Sequence, residues 1–435
     1  MNIFDFILFK IRFYLYSKKM INLYQIKNAN KIVSYAKKKS PFFKEYYKSC
    51  KDDFFNLPTT NKQTMMNNLT TYNTLGLKKE ELVNFALDIE KTRDFTKRFK
   101  GLNIGMSSGT SGNKSIVITT QKEEDYLKTM YLSRLVLPKG EKLNCAFILR
   151  VFSPAFNFNK FGHKITYVNQ LQSIENVCRD IEIINPNVIS SPPSMLKVLA
   201  NEILKDNLNI KPKLIYSYAE TLYPDVKDFI EKTFGCPVLQ IYQGSEGCYA
   251  MTCKEGNLHI NEDMVLLELL NMDGTKTEEG KPCSKLLVTD LHKKSQTIIR
   301  YELNDIVTIS KEKCKCGSNF RVIESIQGRA DDMLWGRKGS KKHFIFPDYV
   351  VRGIISCSDK IEDFQVIQDS LDLIKVSLQL INNNQDESIK GKVTTIIQDV
   401  FKRYECSIPE IIVEFKKPEP NINSNKLIRV ISRIN

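Results

Sequence analysis

The chain has 435 residues, 42% hydrophobic and 26% charged, proportions that suit a folded globular protein and exclude disordered, collagen-like and disulfide-stapled classes. At this length one core usually stops growing, so two or three compact units are expected. The net charge of +14 comes from lysines spread along the chain, without an arginine-rich block. That argues against nucleic acid as a partner and suits small anions such as nucleotides and carboxylates.

Residues 1–16 are apolar, but Asp5, Lys10 and Arg12 interrupt them too early for a membrane span. An amphipathic helix packed on the body is expected, with a membrane-surface foot as the alternative. Residues 17–100 place Ile21, Tyr24, Ile32 and Tyr35 at helical spacing, with Pro41 and Pro58 as breakers, and read as a helical first part. The 11 cysteines come with no secretory leader, which predicts reduced thiols and a cytoplasmic location.

Next comes Ser107-Ser108-Gly109-Thr110-Ser111-Gly112-Asn113-Lys114-Ser115, followed at once by Ile116-Val117-Ile118-Thr119-Thr120. Glycines let backbone N–H groups approach an anion, hydroxyls add donors and Lys114 adds charge, so the stretch reads as a phosphate cradle between strands, with a polar hairpin turn as the plainer reading. It is not a Walker loop, because the glycines do not lead into Gly-Lys-Ser/Thr and the flank reads as strand.

From about residue 101 to 310, β-branched runs at 145–149, 188–189, 213–216, 238–241 and 285–288 alternate with helix-like segments, predicting a parallel α/β sheet. Strand 213–217, a helix opened by Pro224 and closed by Gly235, and strand 238–242 form a βαβ crossover. Glu220 and residues 242–246 then fall at strand ends, where open α/β sheets bind ligands. Cys314-Lys315-Cys316-Gly317 forms a tight knuckle able to offer two thiolates to zinc. Cys253 is the expected third ligand, and Cys248 or His259 the fourth. Beyond residue 335 the pattern becomes α+β: strands near 362–368 and 372–379, a helix over 386–404, a strand at 410–416, and a polar tail holding Lys426. Gly336, Arg337, Gly339, Ser340 and Lys341 make a connector, so three parts are expected: 1–100, 101–335 and 336–435.

Taken in order, the loop at 107–115, Tyr242-Gln243-Gly244-Ser245-Glu246-Gly247, Arg300-Tyr301-Glu302-Leu303-Asn304-Asp305 and Gly328-Arg329-Ala330-Asp331-Asp332 resemble the signatures of the adenylate-forming (acyl/aryl-AMP ligase) superfamily, in particular its phenylacetate-CoA-ligase-like branch. The likeness covers about residues 100–335. It implies a large N-terminal domain with mixed α/β sheets and a small mobile α+β C-terminal domain. It also implies ATP-dependent conversion of a carboxylic acid to an acyl-adenylate with release of pyrophosphate, then acyl transfer to coenzyme A or, alternatively, to an amine. A non-catalytic nucleotide-binding scaffold in surface-polysaccharide assembly is the rival from a different class.

The resemblance assigns roles that make chemical sense, because attack of a carboxylate on the α-phosphorus gathers anions whose charge must be offset. Lys114 and the donors of Ser107, Ser108, Gly109, Thr110, Ser111 and Gly112 would hold the β- and γ-phosphates. Glu246 would ligate magnesium, Ser245 would touch the α-phosphate, and Tyr242 would lie against adenine; Gln243 and Gly244 belong to the same nucleotide-binding segment, and Gly244 would also border the side chain of the acid. Asp305 would accept from the ribose hydroxyls, and Arg329 would contact ribose or phosphate. Lys426 is the candidate adenylation lysine, although Asn425 stands where members usually carry glycine. Asp331 and Asp332 would begin the hinge. Tyr218, Ala219 and Glu220 would line a pocket for an aromatic acid. The expected partners are a small-molecule carboxylate and an acceptor thiol or amine. A second copy of the chain and a membrane surface against residues 1–16 are the further candidates.

Overall fold

A computed structural model describes residues 2–50, 53–106, 115–149, 159–160, 162–329, 334–345, 347–358, 360–381, 386–420 and 427–434. Ser107, Ser108, Gly109, Thr110, Ser111, Gly112, Lys114, Asp331, Asp332 and Lys426 therefore lie outside the described residues.

Helix α1 (Ile3–Leu15) starts where the Asn2 side chain accepts the Phe4 N–H, and it buries Phe9 and Phe13 at an i, i+4 spacing. Ser17 ends the connection and caps α2 (Lys18–Lys39), whose buried stripe is Ile21, Gln25, Ala29, Ile32 and Ala36. Pro41 occupies the first turn of the next helix, Pro41–Tyr46, where its missing N–H costs nothing. The apolar residues of α1 that face away, Ile3, Phe4 and Ile7, are exposed. No helix among the described residues is long and apolar enough to cross a membrane.

A ten-stranded sheet runs in the order Asp305–Ile309, Val322–Arg329, Leu258–Ile260, Gly247–Thr252, Val238–Gly244, Leu214–Ser217, Val188–Ser191, Asn144–Leu149, His163–Asn169 and Asn159–Lys160. Its middle pairs, from Val238–Gly244 to His163–Asn169, are parallel. Alternation sorts the side chains onto two faces. Ala146, Ile148, Ile189 and Ile215 pack under the helices Ile174–Ile184, Pro193–Leu204 and Pro224–Phe234, while Cys145, Phe147, Val188, Leu214 and Leu239 form the core of the opposite face. The helix Pro224–Phe234 begins at its proline and ends on Gly235 at φ 67°, as its sequence requires.

The expectation of a parallel sheet does not extend to residues 285–288. Lys285–Asp290 is the middle strand of a separate antiparallel sheet with Val265–Leu270 and Tyr301–Leu303. A short buried apolar run carries no information about the direction of its neighbour, and this one is joined to Val265–Leu270 by a hairpin loop and not by a crossover helix. The strands Asn103–Met106 and Ile116–Thr119 pair antiparallel with Met106 opposite Ile116, so both ends of the glycine-rich segment emerge from one hairpin.

The chain divides into two compact units, one made of residues 1–109, 113–303 and 307–325, the other of 110–112, 304–306 and 326–435. Within the second, a four-stranded sheet has the order Glu410–Phe415, Leu373–Leu380, Ile361–Ser370 and Val430–Ser432. The helix Glu387–Arg403 buries Ile389, Val393, Ile397 and Phe401.

Candidate active site

The strands Leu214–Ser217 and Val238–Gly244 are parallel neighbours, so Tyr218, Ala219 and Glu220 lie beside the Tyr242–Gly247 segment along the carboxyl edge of the sheet. Tyr218 is buried, stacks on Phe147 with ring centroids 5.4 Å apart, and donates its hydroxyl to the Ile148 carbonyl at 2.9 Å. Ala219 has φ +66°, a left-handed conformation that costs a residue with a Cβ and that recurs at functional sites. Glu220 accepts the Ser194 N–H at 3.1 Å, so one of its carboxylate oxygens is spent on the N-terminus of the helix Pro193–Leu204.

Val238–Gly244 and Gly247–Thr252 form an antiparallel hairpin whose turn carries Ser245 and Glu246. The two oxygens of Glu246 accept from the hydroxyls of Tyr301 at 3.0 Å and Tyr249 at 3.3 Å. Burial raises the Tyr301 pKa, and the neighbouring Glu246 charge raises it further, so this hydroxyl stays a donor. Gly244 leaves room for the pair: a Cβ there would sit 2.6 Å from the Tyr249 hydroxyl and 2.9 Å from Glu246 Oε2. Tyr242 is buried edge-on to Tyr249, centroids 5.0 Å apart. The Tyr131 hydroxyl donates to Gln243 Oε1.

The segment Asp290–Tyr301 ties this hairpin to the strand that leaves the glycine-rich loop. Asp290 Oδ1 accepts the N–H groups of His292 and Lys293 at 2.8 and 2.7 Å, turning the chain inward. Lys293 is buried, which lowers its pKa, and the carboxylates of Asp290, Glu123 and Glu246 act in the opposite direction. Gln296 then clamps the emerging strand, accepting the Ile118 N–H at 3.0 Å and donating to the Ile116 carbonyl at 2.9 Å. Glu123 closes the network. It completes a capping box with Thr120, and it accepts from the N–H groups of Lys294 and Ser295 and from the Ser295 hydroxyl at 2.7 to 2.8 Å. Burial would raise the Glu123 carboxyl, but these donors outweigh it and hold it below the usual carboxylate range.

Tyr249, Lys293, Gln296 and Glu123 were not singled out by sequence reasoning. Tyr301 was visible only as a letter in a motif. Asp305 opens the strand Asp305–Ile309 and Arg329 ends the strand Val322–Arg329; both belong to the second unit.

The cysteines separate into two environments. Cys248 is buried beside Asn261, which donates to its sulfur at 3.3 Å, and burial pushes its thiol up to about 12. The side chains brought together are instead Cys253, His259, Cys314 and Cys316, whose donor atoms all lie within 4.8 Å of one another. His259, the alternative ligand, therefore takes the place that Cys248 was offered for. Burial raises Cys253 and pushes Cys316 up to about 12. At Cys314 burial is outweighed by the Cys316 N–H and the Asn257 amide, and the thiol is lowered.

No protein-family model matches the chain. It is 26% identical over 338 residues to Protein CapK of Staphylococcus aureus, a match covering 70% of each chain. It is 27% identical over 198 residues to a phenylacetate-coenzyme A ligase of Thermus thermophilus, covering 43% of each. Among solved structures, a 2-hydroxyisobutyryl-CoA ligase in the postadenylation state in complex with 2-HIB-AMP has a TM-score of 0.74 at 14% identity and covers 97% of this chain and 91% of that one. The amide bond synthetase McbA from Marinactinospora thermotolerans has a TM-score of 0.55 at 11% identity, covering 77% of this chain and 68% of its own. The chain has the fold of the adenylate-forming superfamily. Solved CoA ligases and an amide bond synthetase share that fold, and 198 residues of the chain resemble a phenylacetate-coenzyme A ligase.

Proposed function

We propose that this protein activates a carboxylic acid with ATP to an acyl-adenylate, releasing pyrophosphate, and then passes the acyl group to coenzyme A. The observation that carries the reading is the segment Asp290–Tyr301. One stretch of chain holds the strand leaving the glycine-rich loop through Gln296, buries the cation Lys293, and orients Glu246 through Tyr301. Such an arrangement gathers donors and charge where a polyphosphate would lie.

Glu246 fits a magnesium ligand. Each of its oxygens accepts one tyrosine hydroxyl, which leaves lone pairs on a hard carboxylate, and magnesium needs only one or two such groups beside substrate phosphates and water. When bound, the ion would offset charge on the triphosphate and the leaving pyrophosphate. In this reading Lys114 and the Ser107–Gly112 donors grip the terminal phosphates, and Ser245 meets the α-phosphate. Tyr242 and Gln243 border the base, while Asp305 and Arg329 serve the ribose. Lys426 bridges the acid and the α-phosphate, and Asp331 and Asp332 supply the pivot between half-reactions. The stacked Tyr218 and Phe147 at the sheet's edge suit a planar, aromatic acid. None of the 11 cysteines is in a disulfide, which suits a reducing compartment such as the cytoplasm.

The test is ATP–pyrophosphate exchange across a library of carboxylic acids, followed by addition of coenzyme A or amines to any acid that supports exchange. Exchange that depends on an acid is expected, and Lys426→Ala is expected to abolish it while sparing acyl transfer from supplied acyl-adenylate. ATP binding with no exchange for any acid would overturn the ligase reading in favour of a nucleotide-binding scaffold.

A further inference from the structure

Two loops and the N-terminal helix meet at a point the proposed chemistry does not use. Cys253 follows the strand Gly247–Thr252 and begins a tight turn, its carbonyl accepting the Gly256 N–H. His259 follows on the strand Leu258–Ile260. Cys314 and Cys316 come from the connection after Asp305–Ile309, where Gly317 at φ +90° closes the knuckle. Cys253 Sγ is 3.6 Å from Cys314 Sγ, and Cys316 Sγ is 3.4 Å from His259 Nε2. Zinc bonds of about 2.3 Å to sulfur and about 2.0 Å to nitrogen in a tetrahedron place donors roughly 3.4–3.8 Å apart, so these two pairs stand at the spacing of ligands on one ion, within a cluster whose donor atoms all lie within 4.8 Å of one another. These sulfurs are not bonded to one another.

The surroundings are those of ligands. His259 Nδ1 lies 2.8 Å from the Phe320 carbonyl, an acceptor only, so Nδ1 carries the hydrogen and the Nε2 lone pair faces the sulfurs. Asn257 Nδ2 and the Cys316 N–H donate to Cys314 Sγ at 3.2 and 3.4 Å, as donors do to a thiolate. Cys253, His259 and Cys316 are buried, and four protein donors leave no open coordination position. That arrangement describes a structural site and not a hydrolytic one.

We propose that Cys253, His259, Cys314 and Cys316 bind one structural zinc ion, and that this ion builds the seat on which the N-terminal helix α1 docks. Phe13 of α1 meets the His259 ring at 5.3 Å and 74° and the Phe320 ring at 5.4 Å and 77°. Phe13, Ile21, Cys253, Cys316 and Phe320 form one apolar cluster, with Tyr16 and Cys314 against it. Asn319, beside the knuckle, donates to the Tyr16 carbonyl at 3.0 Å, and the Arg134 guanidinium lies 5.1 Å and 5.2 Å over the Phe13 and Phe320 rings. Without the metal, two loops that carry no regular structure of their own would have to hold this surface against α1 by packing alone.

The proposal stands apart from the ligase reading and is tested without an activity assay. Full-length protein purified under reducing conditions is expected to carry about one zinc per chain by elemental analysis. Cobalt substitution is expected to give the visible bands of a tetrahedral ion with thiolate-to-metal charge transfer. Cys316→Ser and His259→Ala should lose the metal, His259→Cys should keep it, and Cys248→Ser should leave it untouched. Stripping the zinc should raise amide exchange in Ile3–Leu15 at least tenfold while the strands Val188–Ser191 and Leu214–Ser217 keep their protection. Metal-free protein that takes up no cobalt, zinc retained in the Cys316→Ser, His259→Ala double variant, or a Cys253–Cys314 disulfide in the reduced preparation would overturn the site. Unchanged exchange in α1 after metal loss would overturn its role as a seat.

Discussion

Replacing Tyr301 by Phe isolates one interaction in the proposed site. The Tyr301 ring is 2% exposed and phenylalanine fills the same space, so the change removes only the hydroxyl that Glu246 Oε1 accepts at 3.0 Å. A hydrogen bond to a charged group contributes about 1.5–3 kcal/mol. Glu246 is partly exposed and keeps the Tyr249 hydroxyl at 3.3 Å on its other oxygen, so water can replace part of what is lost and the effect belongs at the low end. About 1.4 kcal/mol corresponds to tenfold. Acid-dependent ATP–pyrophosphate exchange should therefore fall about tenfold in kcat/KM, with a matching rise in the magnesium needed for half-maximal rate and a near-native melting curve. Tyrosine acts here only by positioning the carboxylate, so in a Glu246→Gln background the same change should cost less than threefold. Wild-type exchange and magnesium dependence in Tyr301→Phe, or full additivity with Glu246→Gln, would refute the reasoning.

Gly244→Ala should reduce exchange by about a hundredfold, because the new Cβ would lie 2.6 Å from the hydroxyl of Tyr249, whose ring is 1% exposed and cannot swing away; kinetics beside a denaturation curve will separate this loss from unfolding. Gln296→Ala strips partners from the Ile118 N–H and the Ile116 carbonyl and should destabilise the protein by about 2–4 kcal/mol in urea titrations. The Glu123 carboxyl is held below its usual range by its donors, so its contribution is complete above the unfolded value near 4.3 and is lost as pH falls through the lower folded value. Glu123→Gln should accordingly cost about 1–3 kcal/mol at pH 7, shrinking below about pH 4; a cost constant from pH 3 to 7 would contradict that assignment.

Much of the fold could be read locally, and the reason is physical. Pro224 and Gly235 fix the ends of a helix whatever surrounds it, and the period of two in Cys145–Ile148 shows which side chains share a face before any partner strand is known. Long-range polar partners leave no such trace. Gln296 works on Ile116 and Ile118, which lie 180 and 178 residues away in sequence, and Lys293 is one of 64 lysines and arginines with nothing in its neighbours to show that it is buried. Glu220 looked like a ligand group because it follows a strand, and the same position makes it the nearest acceptor for the helix beginning at Pro193. Cys248 and His259 were equivalent candidates on spacing. Only the strand pairing decides between them: His259 sits opposite Met251 and Val322, on the short strand that runs between Cys253 and the knuckle, whereas Cys248 lies at the other end of its own strand, opposite Gln243. That pairing has a consequence for function. The hairpin that presents Glu246 at one end continues into Cys253 at the other, so a metal that fixes Cys253 also fixes the far end of the strand on which the proposed magnesium ligand is mounted, and loss of zinc is expected to weaken exchange through Glu246 geometry even though none of the four proposed zinc ligands is among the residues proposed to hold the nucleotide.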